Sequence, residues 1–239
     1  MMRLDRYIAE TTELSRSQAA KAIRSGRVTL NGAAVRIPDQ KLDEQTAEVR
    51  CCGQLCVYRR FCYYLLNKPT GVITASRDPK QKTVLDLFPP EILKRGIFPV
   101  GRLDKDTSGL LLLTNDGIFA HRVISPASGI DKVYAATVEG TPTEDDAARF
   151  HDGLALADGT RRLPAELTAI GENRCLVTVR EGKYHQVRRM LSAVGKPVQT
   201  LHRVSLGGIE LDPSLEPGQF RELTTSELCI LFKLLHMEK

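Results

Sequence analysis

The chain has 239 residues, of which 42% are hydrophobic and 26% charged, and its formal net charge is +5. This composition is typical of a folded globular protein and excludes a disordered or fibrous chain. No apolar stretch approaches the roughly 20 residues of a membrane-spanning helix, so membrane insertion is also excluded. The excess of positive charge lies in residues 1–60, with 11 Lys and Arg against 7 Asp and Glu. This asymmetry favours a small polyanion-binding module joined to a near-neutral working domain.

The first fifty residues predict two helices followed by a hairpin. Ser15 and Gln18 are placed to form a capping box, at the start of a short basic helix that ends at Gly26. Asn31-Gly32 is the residue pair preferred in a two-residue hairpin turn. The cations of this module, taken alone, are either a solvated helix face or phosphate contacts.

The order of these elements resembles the small RNA-binding domain first known from ribosomal protein S4. The resemblance covers roughly the first fifty residues, from Arg3-Leu4-Asp5 to Asn31-Gly32. It implies that five cations contact RNA, namely Arg3, Arg16, Lys21, Arg24 and Arg27.

Residues 50–62 interrupt the apolar periodicity and are interpreted as a linker or connecting strand. We therefore expect an RNA-binding domain with its linker over 1–60 and a second domain over 61–239. Four of the six cysteines lie between 51 and 62, without Cys-x-x-Cys spacing or a nearby histidine. This favours buried structural thiols in a reduced, cytoplasmic protein over a zinc site.

Beyond residue 60 the pattern mixes strands and helices without regular alternation. This predicts an α+β fold whose mixed sheet is mainly antiparallel, with flanking helices. Strands are predicted at Tyr63–Leu66, Gly71–Ala75, Ile97–Val100, Leu110–Thr114, Val133–Val138, Arg174–Val179 and Gly207–Leu211, and helices at about 116–124, 143–152, 185–194 and 225–236.

The most informative stretch covers residues 98–117, in which two apolar runs bracket a loop dense in charge. Buried strands at both ends hold such a loop rigidly and leave its polar groups accessible. The same four charged residues, Arg102, Asp104, Lys105 and Asp106, could equally form a solvated turn with local ion pairs. Spacing alone does not decide between the two interpretations.

The segment GRLDKDTSGLLLLTNDG, residues 101–117, resembles the signature of the RsuA family of ribosomal RNA pseudouridine synthases. Further motifs of that family follow the expected order, at residues 67–71, 132–134 and 181–190. The resemblance implies that Asp104 is the catalytic carboxylate, that Tyr134 packs against the target base and that Arg188 pairs with Asp104. It also implies the pseudouridine synthase fold. Candidate RNA contacts in this domain are Lys68, Arg102, Lys183 and His185.

Pseudouridine formation detaches uracil from the ribose, turns it and rejoins it through carbon, so no atom or electron is gained or lost. We therefore expect no cofactor and no metal, and the chain lacks a dinucleotide-binding or phosphate-loop motif. The carboxylate of Asp104 can act as nucleophile or as base, and the sequence does not choose between these roles.

Within the family, Gly-Lys-Tyr-His at 182–185 is most similar to enzymes of the small-subunit (16S) RNA. Arg188-Arg189 is more frequent in large-subunit (23S) enzymes, which are the alternative. A non-catalytic ribosome-assembly factor is a further alternative, disfavoured by the presence of Asp104, Tyr134 and Arg188. We expect a monomer whose partner is ribosomal RNA.

Overall fold

A computed structural model describes residues 1–156 and 158–237 of the chain. The chain divides into two compact units, Met1–Phe61 and Cys62–Lys239. None of the helices in the described ranges is long and apolar enough to cross a membrane.

The N-terminal unit contains two helices and six short strands. The helices are α1 (Leu4–Thr11) and α2 (Arg16–Arg24), and the strands are β1 (Met2–Arg3), β2 (Val28–Leu30), β3 (Ala33–Ala34), β4 (Lys41–Leu42), β5 (Val49–Cys51) and β6 (Gln54–Cys56). Strand β1 pairs with β4, and the other four form a sheet in the order β3-β2-β5-β6. Apolar side chains of α1 and α2 pack on these strands to form the core of the unit.

Local signals in the sequence place the first helices and the hairpin correctly. The Ser15 hydroxyl accepts from the Gln18 amide, and the Gln18 side chain accepts from the Ser15 amide at 2.8 Å. This capping box starts α2, as predicted. Asn31 and Gly32 both have positive φ and form the turn between β2 and β3, which the Asn-Gly pair predicts.

Residues 50–62 are interpreted from the sequence as a linker or connecting strand, but up to residue 56 they form strands of the N-terminal unit and not a linker. Strands β5 and β6 form an antiparallel hairpin, and β5 also pairs with β2. The turn between β5 and β6 consists of Cys52 and Gly53, which both have positive φ. Two-residue turns of this kind favour glycine, but Cys-Gly is a weaker sequence signal than Asn-Gly.

The second unit is built on one large sheet. Its strands are β7 (Tyr63–Lys68), β8 (Phe98–Val100), β9 (Thr107–Thr114), β10 (Lys132–Val138), β11 (Glu166–Gly171), β12 (Arg174–Val179), β13 (Val198–Leu206), β14 (Ile209–Glu210) and β15 (Phe220–Glu222). Its α-helices are α3 (Pro90–Leu93), α4 (Gly117–Ile124), α5 (Glu144–Asp152), α6 (Gln186–Ala193) and α7 (Thr225–Leu234), with 3-10 turns at Val84–Leu87 and Pro126–Ser128. The α+β class is confirmed.

The sheet runs in the order β11-β12-β10-β13-β9-β7-β15, with β8 added to β9 and β14 to β13. Among the pairings in the described ranges, β9 with β13 is parallel and the others are antiparallel. This agrees with the predicted mainly antiparallel sheet. The parallel pair joins the start of β9 to the middle of β13, because Ser108 lies opposite His202.

Strand β9 is buried on both faces of the sheet. Leu111 and Leu113 belong to the core on one face, together with residues of α5 and α6, whereas Leu110 and Leu112 belong to the core on the other face, with α4 and α7. Alternate side chains of a strand point to opposite faces, so a run of four leucines fits a central strand with helices on both sides. The strand therefore forms a rigid support for the loop that precedes it.

Some predicted strands differ from the structure. Residues 71–75 form only an isolated bridge, between Ile73 and Thr83, and the predicted strand Gly207–Leu211 shrinks to β14 after a Gly-Gly turn. The prediction of buried thiols is correct for Cys51, Cys56, Cys62 and Cys175, but Cys52 and Cys229 are exposed.

Candidate active site

A buried lysine, Lys68, binds the backbone of the charged loop between β8 and β9. The ammonium group of Lys68 donates to the carbonyl oxygens of Pro69 and Asp104, each at 3.0 Å, and of Thr107 at 2.8 Å. The side chain is completely buried, and burial lowers its pKa to about 8. The predicted contact of Lys68 with RNA is therefore wrong, because three backbone carbonyls occupy its ammonium group.

A second anchor fixes the loop through Thr74. Its hydroxyl donates to the Leu103 carbonyl at 2.7 Å and accepts from the Leu103 amide at 3.1 Å. The Gly71 amide also donates to the Lys105 carbonyl at 2.8 Å. Lys68, Gly71 and Thr74 thus hold the backbone on both sides of Asp104.

Gly109 allows β9 and β13 to approach closely. A Cβ atom on Gly109 would lie 2.3 Å from the carbonyl oxygen of Arg203, and the φ of Gly109 is +103°. Both observations require glycine at this position. The parallel pairing thereby brings Arg203 beside the start of β9.

A cavity of about 330 Å³ opens beside the loop. Most of the residues that the sequence predicts for this site line it, namely Arg102, Asp104, Tyr134, Lys183, His185 and Arg188. They come from the loop before β9, from β10, from the segment that leads into α6 and from α6 itself. The Asp104 side chain is 34% exposed, so solvent and a ligand can reach its carboxylate.

The ionic partners in the cavity differ from the prediction that Arg188 pairs with Asp104. The Asp104 carboxylate lies beside the His185 imidazole, whose Nε2 is 3.5 Å from Oδ1. Arg188 instead contacts Asp106, at 3.0 Å from its carboxylate and 3.3 Å from its carbonyl oxygen. The predicted pairing is wrong in this structure, because the guanidinium group of Arg188 binds Asp106, two residues further along the loop.

The segment before α6 is pinned by Gln186. Its side-chain oxygen accepts from the Lys183 amide at 3.2 Å, and its side-chain nitrogen donates to the buried Glu181 carboxylate at 3.1 Å. His185 precedes the helix with a φ of +46°, a conformation that non-glycine residues rarely adopt. This backbone turn directs His185 toward Asp104, and the ring of Tyr184 stacks on the His185 ring.

Tyr134 also lines the cavity. It lies beside Arg203, a buried arginine that is not among the site residues predicted from the sequence. Nη1 of Arg203 lies 3.5 Å from the Tyr134 hydroxyl, and Nε donates to the Leu110 carbonyl at 2.7 Å. Lys132, also buried, donates to two carbonyl oxygens, and burial together with Arg203 lowers its pKa. Neither Arg203 nor Lys132 is among the residues that line the cavity. A buried Arg203 leaves no periodic signal in the sequence.

The cations predicted to bind RNA in the N-terminal unit lie on its surface. Lys21, Arg24 and Arg27 are exposed. Arg3 and Arg16 are also exposed and share the buried carboxylate of Asp5, at 2.9 and 3.5 Å. Arg3 holds the pKa of that carboxyl below its usual value. The Asp5 carboxylate thus fixes the direction of two arginines.

The described residues contain no group of three His, Cys, Asp or Glu side chains that could hold a metal ion.

Comparison with known proteins assigns the family. The RNA pseudouridylate synthase family matches residues 62–193, and the S4 domain family matches residues 2–47. The chain belongs to the pseudouridine synthase family, whose members are isomerases, and carries an N-terminal S4 domain. Both resemblances drawn from the sequence are confirmed.

Individual relatives cover almost the whole chain. The ribosomal small subunit pseudouridine synthase A of Escherichia coli K12 is 40% identical, over 95% of this chain and 98% of its own length. An uncharacterized RNA pseudouridine synthase of Bacillus subtilis, YtzG, is also 40% identical, over 96% of this chain and 98% of its own. A crystal structure of a pseudouridylate synthase, 36% identical, aligns with 97% of this chain and all of its own at a TM-score of 0.68.

Proposed function

We propose that this protein converts a uridine of small-subunit ribosomal RNA to pseudouridine, with Asp104 as the catalytic carboxylate. The observation that carries the proposal is the 40% identity to small-subunit enzymes over 95% of the chain. The cavity supports it, because an accessible carboxylate, an aromatic ring and several cations line one concave site.

The reaction is balanced without any other reactant. The bond from ribose C1′ to uracil N1 breaks, a bond from C1′ to C5 forms, and the proton of C5 is replaced by one on N1. An ionised Asp104 assists either by attacking C1′ or by removing a ribose proton. Neither route needs a redox cofactor or a metal ion in the chemical step.

A uridine in folded RNA must leave its stack to reach Asp104. The cavity of about 330 Å³ is large enough for the base, and the Tyr134 ring offers it a flat partner. Arg188 acts on the loop, since its contacts to the carboxylate and carbonyl of Asp106 fix the backbone beside Asp104.

The S4 domain is proposed to hold the RNA through phosphate contacts of Arg3, Arg16, Lys21, Arg24 and Arg27. The exposed Arg102 and Lys183 at the cavity are proposed to contact RNA near the target. His185 is proposed to contact RNA near the target, because its Nε2 lies 3.5 Å from Oδ1 of Asp104. Since ribosomal RNA is the substrate, we place the protein in the cytoplasm, and we propose that it acts as a monomer.

The proposal is tested by incubating the purified protein with transcribed fragments of both ribosomal RNAs, with and without a chelator, and mapping pseudouridine. We expect modification of one small-subunit uridine in both conditions, provided that monovalent salt keeps the RNA folded. Modification confined to a large-subunit fragment would contradict the choice of substrate. RNA binding without modification of either fragment would indicate a ribosome-assembly factor.

A further inference from the structure

The ring of Tyr184 lies at the cavity with one face open to solvent. Tyr184 is 75% exposed, and among the exposed large apolar side chains of the described residues only Met1 exceeds it. Its other face stacks on the His185 ring, with ring centroids 3.9 Å apart and planes inclined by 15°. His185 in turn contacts Asp104. The open face of Tyr184 is therefore separated from Asp104 by a single imidazole ring.

Isolated exposed apolar residues are common on protein surfaces and need no ligand. Tyr184 differs because its position is fixed. The Gln186 side chain binds the Lys183 amide, and the left-handed backbone of His185 sets the direction of both rings. An aromatic ring held in place loses little conformational entropy when it binds a flat partner.

The surroundings of Tyr184 favour RNA over an apolar ligand. The exposed cations Arg102 and Lys183 line the same cavity. When a uridine leaves its stack, the neighbouring base loses a stacking partner, and stacking on an aromatic side chain compensates for this loss.

We propose that the open face of Tyr184 is a stacking site for the nucleobase adjacent to the target uridine. This inference rests on the proposed function, because it assumes that RNA presents the target to Asp104. The Tyr184–His185 stack extends the binding site from the target nucleotide to one of its neighbours, so it contributes to the choice of RNA.

Binding is tested in the Asp104→Asn background, which prevents turnover. The RNA fragment modified by the wild-type protein carries 2-aminopurine immediately before or after the target uridine. We expect quenching of the probe at one of the two positions, with Tyr184→Ala reducing this quenching and weakening binding roughly 5- to 150-fold. Tyr184→Phe should behave like the parent, because it keeps the ring. Ile118→Ala is the control, since Ile118 is 66% exposed on α4 and outside the cavity.

Equal quenching and affinity with Tyr184→Ala and its parent would overturn the inference. Turnover with Asp104 intact gives an independent readout: stacking predicts a higher KM for Tyr184→Ala, with kcat nearly unchanged. A lower kcat at an unchanged dissociation constant would show that Tyr184 acts through His185 on Asp104, and the stacking site would be withdrawn. If the wild-type protein modifies no ribosomal RNA fragment, the proposed function fails first, whereas normal KM and affinity with Tyr184→Ala overturn only the stacking site.

Discussion

Arg203 gives Tyr134 a partner that fixes both the ring and its hydroxyl. The guanidinium group is anchored by the Leu110 carbonyl and reaches the Tyr134 hydroxyl with Nη1. Its carbon lies 5.9 Å from the ring centroid. Such contacts between a buried cation and an aromatic ring orient the ring that we propose to stack on the target base.

A double-mutant cycle measures this coupling. We expect Arg203→Lys to lower kcat about tenfold, because an ammonium cannot keep both bonds of the guanidinium fork. In the Tyr134→Phe background, which lacks the hydroxyl, the same substitution should lower kcat much less, with a coupling energy of about 1 kcal/mol. Melting temperatures of all four proteins serve as the control. Fully additive losses would show that Arg203 does not act through Tyr134.

The buried ammonium group of Lys68 makes the stability of the protein depend on pH. Burial lowers the pKa of Lys68 to about 8 from an ordinary value of 10.5. Between these two pH values the unfolded chain binds more protons than the folded protein, so the contribution of Lys68 to stability rises with pH.

The comparison with Lys68→Met isolates this contribution. The difference in the free energy of unfolding, wild type minus variant, should increase from pH 8 to 10.5 by at most about 1.4 kcal/mol per pH unit. Below pH 8 it should be constant, and the variant should be less active because three carbonyls of the loop lose their donor. Denaturant unfolding at a series of pH values gives the difference. A decrease above pH 8 would contradict the lowered pKa.

At the scale of elements, the parallel contact between β9 and β13 depends on Gly109. Gly109→Ala should destabilise the protein by several kcal/mol, because the added Cβ meets backbone at 2.3 Å in a left-handed conformation. Gly117→Ala at the start of α4 is the matched control, since a Cβ there meets nothing within 4 Å. It should be neutral or stabilise by up to about 1 kcal/mol. Equal midpoints of thermal unfolding for the two variants would contradict this account of the site.

The C-terminal turn of α2 is expected to contact phosphates. Lys21→Gln with Arg24→Gln should weaken RNA binding and make the slope of log K against log salt shallower by roughly 1.4 to 1.8. Turnover at saturating RNA should stay unchanged. Arg180→Gln is the control, since Arg180 is an exposed arginine of the second unit paired with Asp131. An unchanged salt slope in the double variant would identify these cations as a solvated face.

Elements with local signals are predicted well from the sequence. Capping residues and apolar periodicity identify α2, α4, α5, α6 and α7, and the Asn-Gly pair identifies the β2–β3 hairpin. Strands β13 and β15 are missed because their main pairing partners lie far away in the chain. Strand β11 is also missed, although it forms a hairpin with the neighbouring strand β12. The β5–β6 hairpin is missed because its turn lacks a strong sequence signal.

For individual residues of the site, too, the sequence predicts less where long-range packing decides the contacts. A motif identifies Asp104, Tyr134 and Arg188, but tertiary packing determines that Lys68 is buried and that Arg188 contacts Asp106. Arg203 lies beside Tyr134 because β13 pairs with β10. Sequence therefore predicts which segments meet better than it predicts which side chains touch.

For the whole molecule, we propose that RNA binding by the S4 domain and catalysis by Asp104 can be separated. Asp104→Asn keeps the shape of the side chain but removes the ionised carboxylate, so it should lower kcat at least about a thousandfold with RNA affinity and melting temperature unchanged. Asp106→Asn, in the same loop, should lose at most about tenfold, because Arg188 can still contact the carbonyl of that residue.

The most direct test maps pseudouridine in a small-subunit RNA fragment after incubation with each of these two variants and the wild-type protein. We expect one modified uridine with the wild-type protein and with Asp106→Asn, and none with Asp104→Asn. Modification by Asp104→Asn at the wild-type rate would contradict the central claim that this carboxylate catalyses the isomerisation.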